Sequence, residues 1–397
     1  MRKQTLRDID VTGKRALVRV DFNVPLDPLN DDGVILDDLR IWAALPTIQY
    51  LRERDARVTL CSHLGRPEGE VVESLRLAPI AARPSELLNA PVASARDCIG
   101  PEAEAAVAKL AAGEALLLEN LRFHAGEEAN DPAFAEALAS HAGIFVNDAF
   151  GAAHRAHAST VGVAKHLPAV AGLLLEKEIG YLDRIVTQPQ RPLGAIIGGA
   201  KISDKMTCLR NLLGKADVLI IGGGMANTFL KAQGRSMGDS LVEDDQLDTA
   251  RAVMAEAEQR GSALYLPIDV VVADRFAADA GARIEPAGET ADGWRIMDAG
   301  PRSVAAYGEA LRGCRTVVWN GPLGVAEFPQ FARGSESLAK LVAGLDAVTI
   351  VGGGETVALV REVGLAERFD HVSTGGGAFL EYLEGRELPG IAAVDDA

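Results

Sequence analysis

Residues 217–230 read DVLIIGGGMANTFL. Four apolar residues, Val218–Ile221, run without alternation into three glycines, after which the pattern turns helical. A short β-branched run with no polar face suits a strand covered on both sides, the environment of a parallel sheet. Glycines at its end let the backbone turn tightly and open a helix N-terminus. Similar runs lie at Arg15–Phe22 (RALVRVDF), Arg57–Ser62 (RVTLCS), Ala115–Asn120 (ALLLEN) and Gly143–Phe150 (GIFVNDAF). Others are Leu193–Gly198 (LGAIIG), Ala263–Pro267 (ALYLP), Thr316–Asn320 (TVVWN), Ala347–Gly352 (AVTIVG) and the shorter His371–Thr374 (HVST).

Helical patterns fill the gaps. Leu247, Ala250, Met254 and Ala257 share one face of Gln246–Ala257, and Asp131-Pro132 reads as a helix start. This alternation predicts an α/β chain with right-handed crossovers. About four strands precede residue 170 and about six follow it. For 397 residues, two doubly wound parallel sheets fit better than one sheet of ten strands. Between them Leu173–Val186 (LLLEKEIGYLDRIV) is expected to form a joining helix.

Composition narrows the function. The net charge is −16, and the acidic excess is spread along both halves. That argues against nucleic acid or a membrane surface as the main partner, since each calls for a basic footprint. The first ten residues, MRKQTLRDID, hold no apolar signal region, and no run approaches a membrane span. Cys61, Cys98, Cys208 and Cys314 are scattered with no CxxC pair. This argues against zinc and against a disulfide framework, and makes a reducing cytoplasm the expected setting.

In open α/β sheets, ligands bind beyond the carboxyl ends of the strands. In the first half those ends offer Asp21, Asn23, Ser62-His63-Leu64-Gly65-Arg66, Arg122, and Asn147-Asp148 with Arg155, while Arg40 opens a helix. In the second half they offer GGAK (198–201), GGGM (222–225), NGPLG (320–324) and GGGET (352–356). Guanidinium forks grip carboxylate or phosphate. Glycine turns at helix N-termini bring backbone N–H groups to phosphate. A lone arginine is most often solvated, a glycine pair a simple turn, and His63, His154 or His157 a packing histidine. Four arginines after strand ends, and two GGG turns between strand and helix, outweigh those readings. The expectation is a small polyanion on one half and a nucleotide on the other. No GxxxxGK[ST] or GxGxxG occurs, which counts against a P-loop ATPase and a dinucleotide oxidoreductase.

Taken in order, the motifs resemble the phosphoglycerate kinase family over essentially the whole chain. They are VRVDFNVP (18–25), CSHLGRP (61–67), ENLRFHAGE (119–127), NDAFGAAHRAHAST (147–160), GGAKISDK (198–205), IGGGMANTFL (221–230), WNGPLGVAEF (319–328), GGGET (352–356) and STGGGAFLEYLEG (373–385). The resemblance implies two αβα domains facing across a cleft. Residues 1–172 would bind 3-phosphoglycerate, 173–186 would connect, 187–383 would bind the nucleotide, and 384–397 would return to the first domain. It implies reversible phosphoryl transfer between 1,3-bisphosphoglycerate and ADP, with Mg²⁺, in a cytoplasmic monomer that closes by hinge bending.

It also implies roles. Asp21 and Asn23 would bond the glycerate, with Leu64 and Gly65 in the substrate loop. His63, Arg66, Arg122 and Arg155 would grip the remote phosphate, and Arg40 would stand near the reacting carboxylate. Lys201 would accompany the transferring phosphoryl and Lys205 the nucleotide phosphates. Gly199, Gly223, Asn320, Glu327 and Gly353 to Thr356, including Gly354, would complete the nucleotide site. Two departures stand out. The loop Leu26–Leu36 is slightly long, and Glu355 replaces the family's usual Asp as the carboxylate for the metal-bound nucleotide. The competing reading is a catalytically silent nucleotide-binding scaffold, which the completeness of the charged set opposes.

Overall fold

The computed structural model describes residues 2–27 and 34–397. The middle of the long loop therefore lies outside the described residues. Its flanks pair, with Asp27 N–H donating to Val34 O at 2.9 Å and Leu36 N–H to Pro25 O at 2.9 Å. The chain divides into two units, Met1–Ile179 with Glu387–Ala397, and Gly180–Arg386. The helix Leu173–Val186 forms with the limits read from the sequence, and the division falls within it.

The first unit holds β1 (Arg15–Arg19), β2 (Arg57–Cys61), β3 (Val92–Ser94), β4 (Ala115–Leu117), β5 (Ile144–Asn147) and β6 (Ala169–Ala171). They form one parallel sheet in the order β3-β4-β2-β1-β5-β6. Alternate residues of β1 enter opposite cores. Ala16 and Val18 pack with Ile41, Ile48 and Leu60, while Leu17 packs with Cys61, Phe134 and Phe145. Both faces are covered, as the unbroken apolar runs require. The central register sets Arg19 opposite both Cys61 and Asn147. The residues that follow, Asp21, Ser62-His63 and Asp148, therefore emerge at one level of the sheet edge.

Strands β3 and β6 are additions to the sequence reading. Each has three residues, and two of those in β3 are exposed, so neither carries a long apolar signal. The Glu387–Ala397 segment lies beside β6. Ala169 N–H donates to the Asp395 carboxylate at 2.9 Å, and Asp395 N–H returns a bond to Ala169 O.

The second unit holds β7 (Leu193–Ile197), β8 (Val218–Ile221), β9 (Ser236–Met237), β10 (Ala263–Tyr265), β11 (Asp269–Ala273), β12 (Ala282–Pro286), β13 (Glu289–Thr290), β14 (Arg295–Ala299), β15 (Thr316–Asn320), β16 (Val348–Gly352) and β17 (His371–Val372). Its main sheet is parallel, in the order β10-β8-β7-β15-β16-β17. Trp319, Val317 and Ile196 pack on one face with Tyr307, Leu311 and Leu338. Asn320 pairs in register with Ile197 and with Gly352, which brings Gly198, Gly321 and Gly353 abreast.

A three-stranded antiparallel sheet, β12-β11-β14, and the short ribbon β13-β9 complete this unit. Neither was read from the sequence. On the long helix Leu247–Arg260 the core residues are Ala250, Val253 and Ala257, so Val253 takes the place expected of Met254. The Asp131 start holds, its carboxylate capping Phe134 N–H at 2.8 Å. Among the described residues no helix is long and apolar enough to cross a membrane.

Candidate functional site

The first unit builds its site from side chains. Arg19, almost wholly buried, donates from Nε to Ser159 Oγ at 2.8 Å and from Nη1 to Val20 O. Its Nη2 lies 3.1 Å from His63 Nδ1. Guanidinium only donates, so Nδ1 is the acceptor and Nε2 carries the ring proton. Burial, reinforced by Arg19 and Arg122, holds His63 well below the usual histidine range, so the ring is neutral at pH 7.

Asp21 follows at the same edge, with Oδ2 3.2 Å from Arg40 Nη1. Arg40 also donates to Asn23 O at 2.8 Å, and Asn23 Oδ1 accepts from Gly65 N–H at 2.9 Å. The Leu64-Gly65 turn, with Gly65 at φ +63, is held from behind. Asn120 Nδ2 donates to Leu64 O at 2.8 Å, and Arg122 Nη1 donates to Gly65 O at 2.7 Å.

Asp21, Asn23, Arg40, Leu64, Gly65 and Arg122 thus form one bonded cluster, and His63 stands beside it, held by Arg19. Arg66 is exposed and makes no ion pair among the described residues. Arg155, half-buried, has its Nε 3.3 Å from His154 Nε2 and, among the described residues, no carboxylate in ion-pair range.

Charge crowding shapes this cluster. Burial lowers Arg122, opposed by Glu128 at 3.1 Å. Burial, then Arg122 and Arg19, push His157 down to about 4. Glu127, fully buried, is raised by burial against the pull of Arg19 and of the Ser159 N–H and hydroxyl donors. Arg19, Asn120, Glu127 and Ser159 are functional supports that the sequence reading missed. For Arg19 a signal existed, an arginine inside the apolar run RALVRVDF.

The second unit builds its site from backbone. A Cβ on Gly198 would lie 2.1 Å from Pro322 O, and one on Gly321 (φ +91) would lie 2.1 Å from Gly198 O. A Cβ on Gly223 (φ +69) would lie 2.5 Å from Gly199 O. Main chains therefore touch where side chains would normally separate them. Gly223 and Gly353 precede the helices Gly224–Ala232 and Gly354–Glu362, whose first N–H groups lack intrahelical partners. Asn320 ties this edge together, accepting from Lys205 Nζ and donating to Gly352 O at 3.1 Å. Buried Thr356 accepts from Gly321 N–H at 2.8 Å. Burial lowers the Lys205 ammonium, and Glu355 partly opposes that fall.

Beside this edge lies a cavity of about 460 Å³. Gly199, Gly223, Glu327 and Glu355 line it, as do Leu241, Phe276, Met297 and Asp298. The last four come from segments the sequence reading left unassigned. The exposed Phe276 and Leu241 give the cavity an apolar rim that a planar base would fill. Lys205, Asn320, Gly353, Gly354 and Thr356 stand along the neighbouring edge rather than in the cavity wall, and Lys201 is exposed with no ion pair among the described residues.

Guanidinium groups on one parallel sheet and glycine-cradled amides on another are the equipment of an α/β phosphotransferase acting on a small anion. Comparison gives the family. The phosphoglycerate kinase model matches residues 6–386, and the chain belongs to the phosphoglycerate kinase family. It is similar to the phosphoglycerate kinase of Synechococcus elongatus, 58% identical over the full length of both chains. That of Moorella thermoacetica is 57% identical, again over all of both. The structure of phosphoglycerate kinase from Coxiella burnetii covers 98% of each chain at 43% identity, with a TM-score of 0.88. The enzyme from Pyrococcus horikoshii covers the same share at 32% identity, with a TM-score of 0.85. The activity is that of the family, reversible phosphoryl transfer between 1,3-bisphosphoglycerate and ADP, giving 3-phosphoglycerate and ATP.

Proposed function

We propose that the guanidinium cluster of the first unit binds the glycerate substrate and that the glycine edge of the second binds the nucleotide. The observation that carries this is convergence within the first unit. Asp21, Asn23, Arg40 and Arg122 interlock and Arg19 sets His63 beside them, while the cations Arg66 and Arg155 have no carboxylate partner among the described residues. Neutral His63 offers its Nε2–H to a phosphate oxygen without adding to the crowd of positive charge. Asp21 and Asn23 suit the hydroxyl and carboxylate of glycerate.

On the nucleotide side, Lys205 and the amides ahead of Gly354 receive phosphates, the cavity takes the base, and Glu327 meets the ribose. Phosphoryl transfer leaves little covalent work to a protein, so positioning and charge neutralisation dominate. The reacting oxygens must lie in line, so closure of the ligand-bound units about their connecting helix belongs to this proposal, as does exclusion of water from the acyl phosphate. Arg40 and Lys201 are assigned to the equatorial oxygens of the moving group.

Mg²⁺ belongs to the same reading. Glu355 sits in the first turn of Gly354–Glu362, lines the cavity and faces Lys205, a hard oxygen donor beside the phosphate positions. One carboxylate with nucleotide and water oxygens suits Mg²⁺, which would neutralise phosphate charge there. The protein is proposed to work in the cytoplasm as a monomer.

The test is Arg40→Ala and Lys201→Ala, assayed with 3-phosphoglycerate and MgATP. Each is expected to lower kcat by about 10³-fold or more while circular dichroism stays unchanged. Near-normal kcat in either variant removes that residue from the mechanism.

A further inference from the structure

Cys98 lies in a loop between β3 and the helix Gly100–Ala108, far in sequence from His124. The fold brings them together with Asp97. One donor atom from each residue lies within 4.8 Å of the other two. Asp97 Oδ1 is 2.7 Å from His124 Nε2 and also accepts from Cys98 N–H at 2.7 Å. The loop is fixed behind by His141, whose Nε2 is 3.0 Å from Cys98 O. The His124 ring packs on Phe134, with centroids 5.4 Å apart. Cys98 is fully buried, whereas the Asp97 and His124 side chains are 43% and 32% exposed. The cluster is thus closed on its sulfur side and open to solvent on its oxygen and nitrogen side. None of its three residues is among those assigned to the substrate or nucleotide sites.

We propose that Asp97, Cys98 and His124 form a binding site for a borderline-soft divalent cation of the zinc class, with water as fourth ligand. The donor set is sulfur, nitrogen and oxygen, the mixture such ions select and Mg²⁺ does not. Around a tetrahedral ion, donors at about 2.0–2.3 Å stand about 3.4–3.7 Å from one another. Reaching that geometry requires the Asp97–His124 pair, 2.7 Å apart, to part by about 1 Å or less, and the thiol, within 4.8 Å of both, to close in by at most about 1.4 Å. Both are rotamer-scale movements, and the open side leaves room for them. Binding trades the Cys98 S–H proton, released to solvent, for a metal–thiolate bond. Burial and the neighbouring Asp97 push that thiol well above its ordinary range, so the metal must supply the stabilisation the thiolate lacks. The absence of CxxC spacing removes a sequence-local zinc site, but it does not speak to one assembled by the fold.

The experiment is a Co²⁺ titration of the full-length, reduced, nucleotide-free protein, followed by absorbance. A thiolate-to-cobalt charge-transfer band is expected to saturate at one equivalent and to vanish on adding Zn²⁺. Cys98→Ser should abolish it, His124→Gln should weaken Co²⁺ binding more than about tenfold, and Cys208→Ser should leave it intact. No band at saturating Co²⁺ overturns the proposal and leaves Asp97 and His124 as an ordinary ion pair. A band that persists in Cys98→Ser overturns it too. If Cys98→Ser fails to fold, the half-exposed His124→Gln decides, and unchanged affinity overturns the site.

Discussion

The anion cluster of the first unit and the glycine edge of the second sit at equivalent places, the carboxyl ends of parallel strands, yet are made of different material. In the first, buried side chains hold one another, as Arg19 holds His63 and Arg122 holds the carbonyl of Gly65. In the second, backbone is packed on backbone, with Gly198 against Gly321 and Gly199 against Gly223. A side-chain site fails when a charge is removed, because the buried partner is left unpaired. A backbone site fails when an atom is added, because main chain cannot step aside. The same distinction separates structural arginines from those proposed to face substrate. Arg19 spends its donors on the protein, whereas Arg66 spends none on the described residues.

The largest expected effect comes from adding one carbon to the backbone site. Gly321→Ala places Cβ 2.1 Å from Gly198 O at φ +91, where an L residue is already strained. A loss of at least about 3 kcal/mol is expected, seen as a lower urea midpoint and absent ATP binding by calorimetry. Gly261→Ala is the matched control. Its φ is +71, but nothing lies within 4 Å, so only the conformational cost of about 1 kcal/mol remains. Equal effects at the two positions would mean that the close approach of the strands contributes nothing.

Next in size is the removal of a free charge. Arg66→Ala is expected to change stability by less than about 0.5 kcal/mol, since its side chain is exposed and unpaired. It should still raise KM for 3-phosphoglycerate about 10- to 100-fold, the worth of one charge-assisted phosphate contact. Arg19→Met should act first on stability, costing about 3 kcal/mol because His63 and Ser159 lose their partner. If Arg66→Ala lowers stability as Arg19→Met does, the division between structural and substrate-facing arginines is wrong.

What could be read in the sequence follows the same contrast. Central strands such as Leu193–Ile197 and Thr316–Asn320 are buried on both faces, so their apolar runs stand out, and the motifs after them lie where the fold puts the edges. Strand β12 is exposed at four of its five residues and carries no such signal. With β11 and β14 it forms the sheet that contributes Met297 and Asp298 to the cavity, so that part of the wall was invisible. Arg19 and Glu127 were missed for another reason. Their partners lie 140 and 32 residues away, at Ser159 in both cases, and only tertiary structure pairs them. The Asp97–Cys98–His124 convergence is of the same kind.

The smallest expected effect lies where the two kinds of site meet, at a side chain on the backbone site. Glu355 is the one acidic residue in the first turn of the helix Gly354–Glu362, and it lines the cavity. Its extra methylene relative to Asp moves the carboxylate by little more than 1 Å. Mg²⁺ requires oxygens at about 2.0–2.1 Å in near-octahedral order, and it retains waters readily. A longer side chain can satisfy it by interposing a water, at the expense of a direct bond. Glu355→Asp should therefore leave the melting temperature and kcat at saturating metal nearly unchanged. The Mg²⁺ concentration for half-maximal rate should shift by about tenfold, the lower end of what changes around a metal's ligands cost in affinity. An unchanged Mg²⁺ titration, with Mn²⁺ as comparison, would place the carboxylate outside the metal's reach. Lys205 and the glycine amides would then be left to hold the phosphates without it.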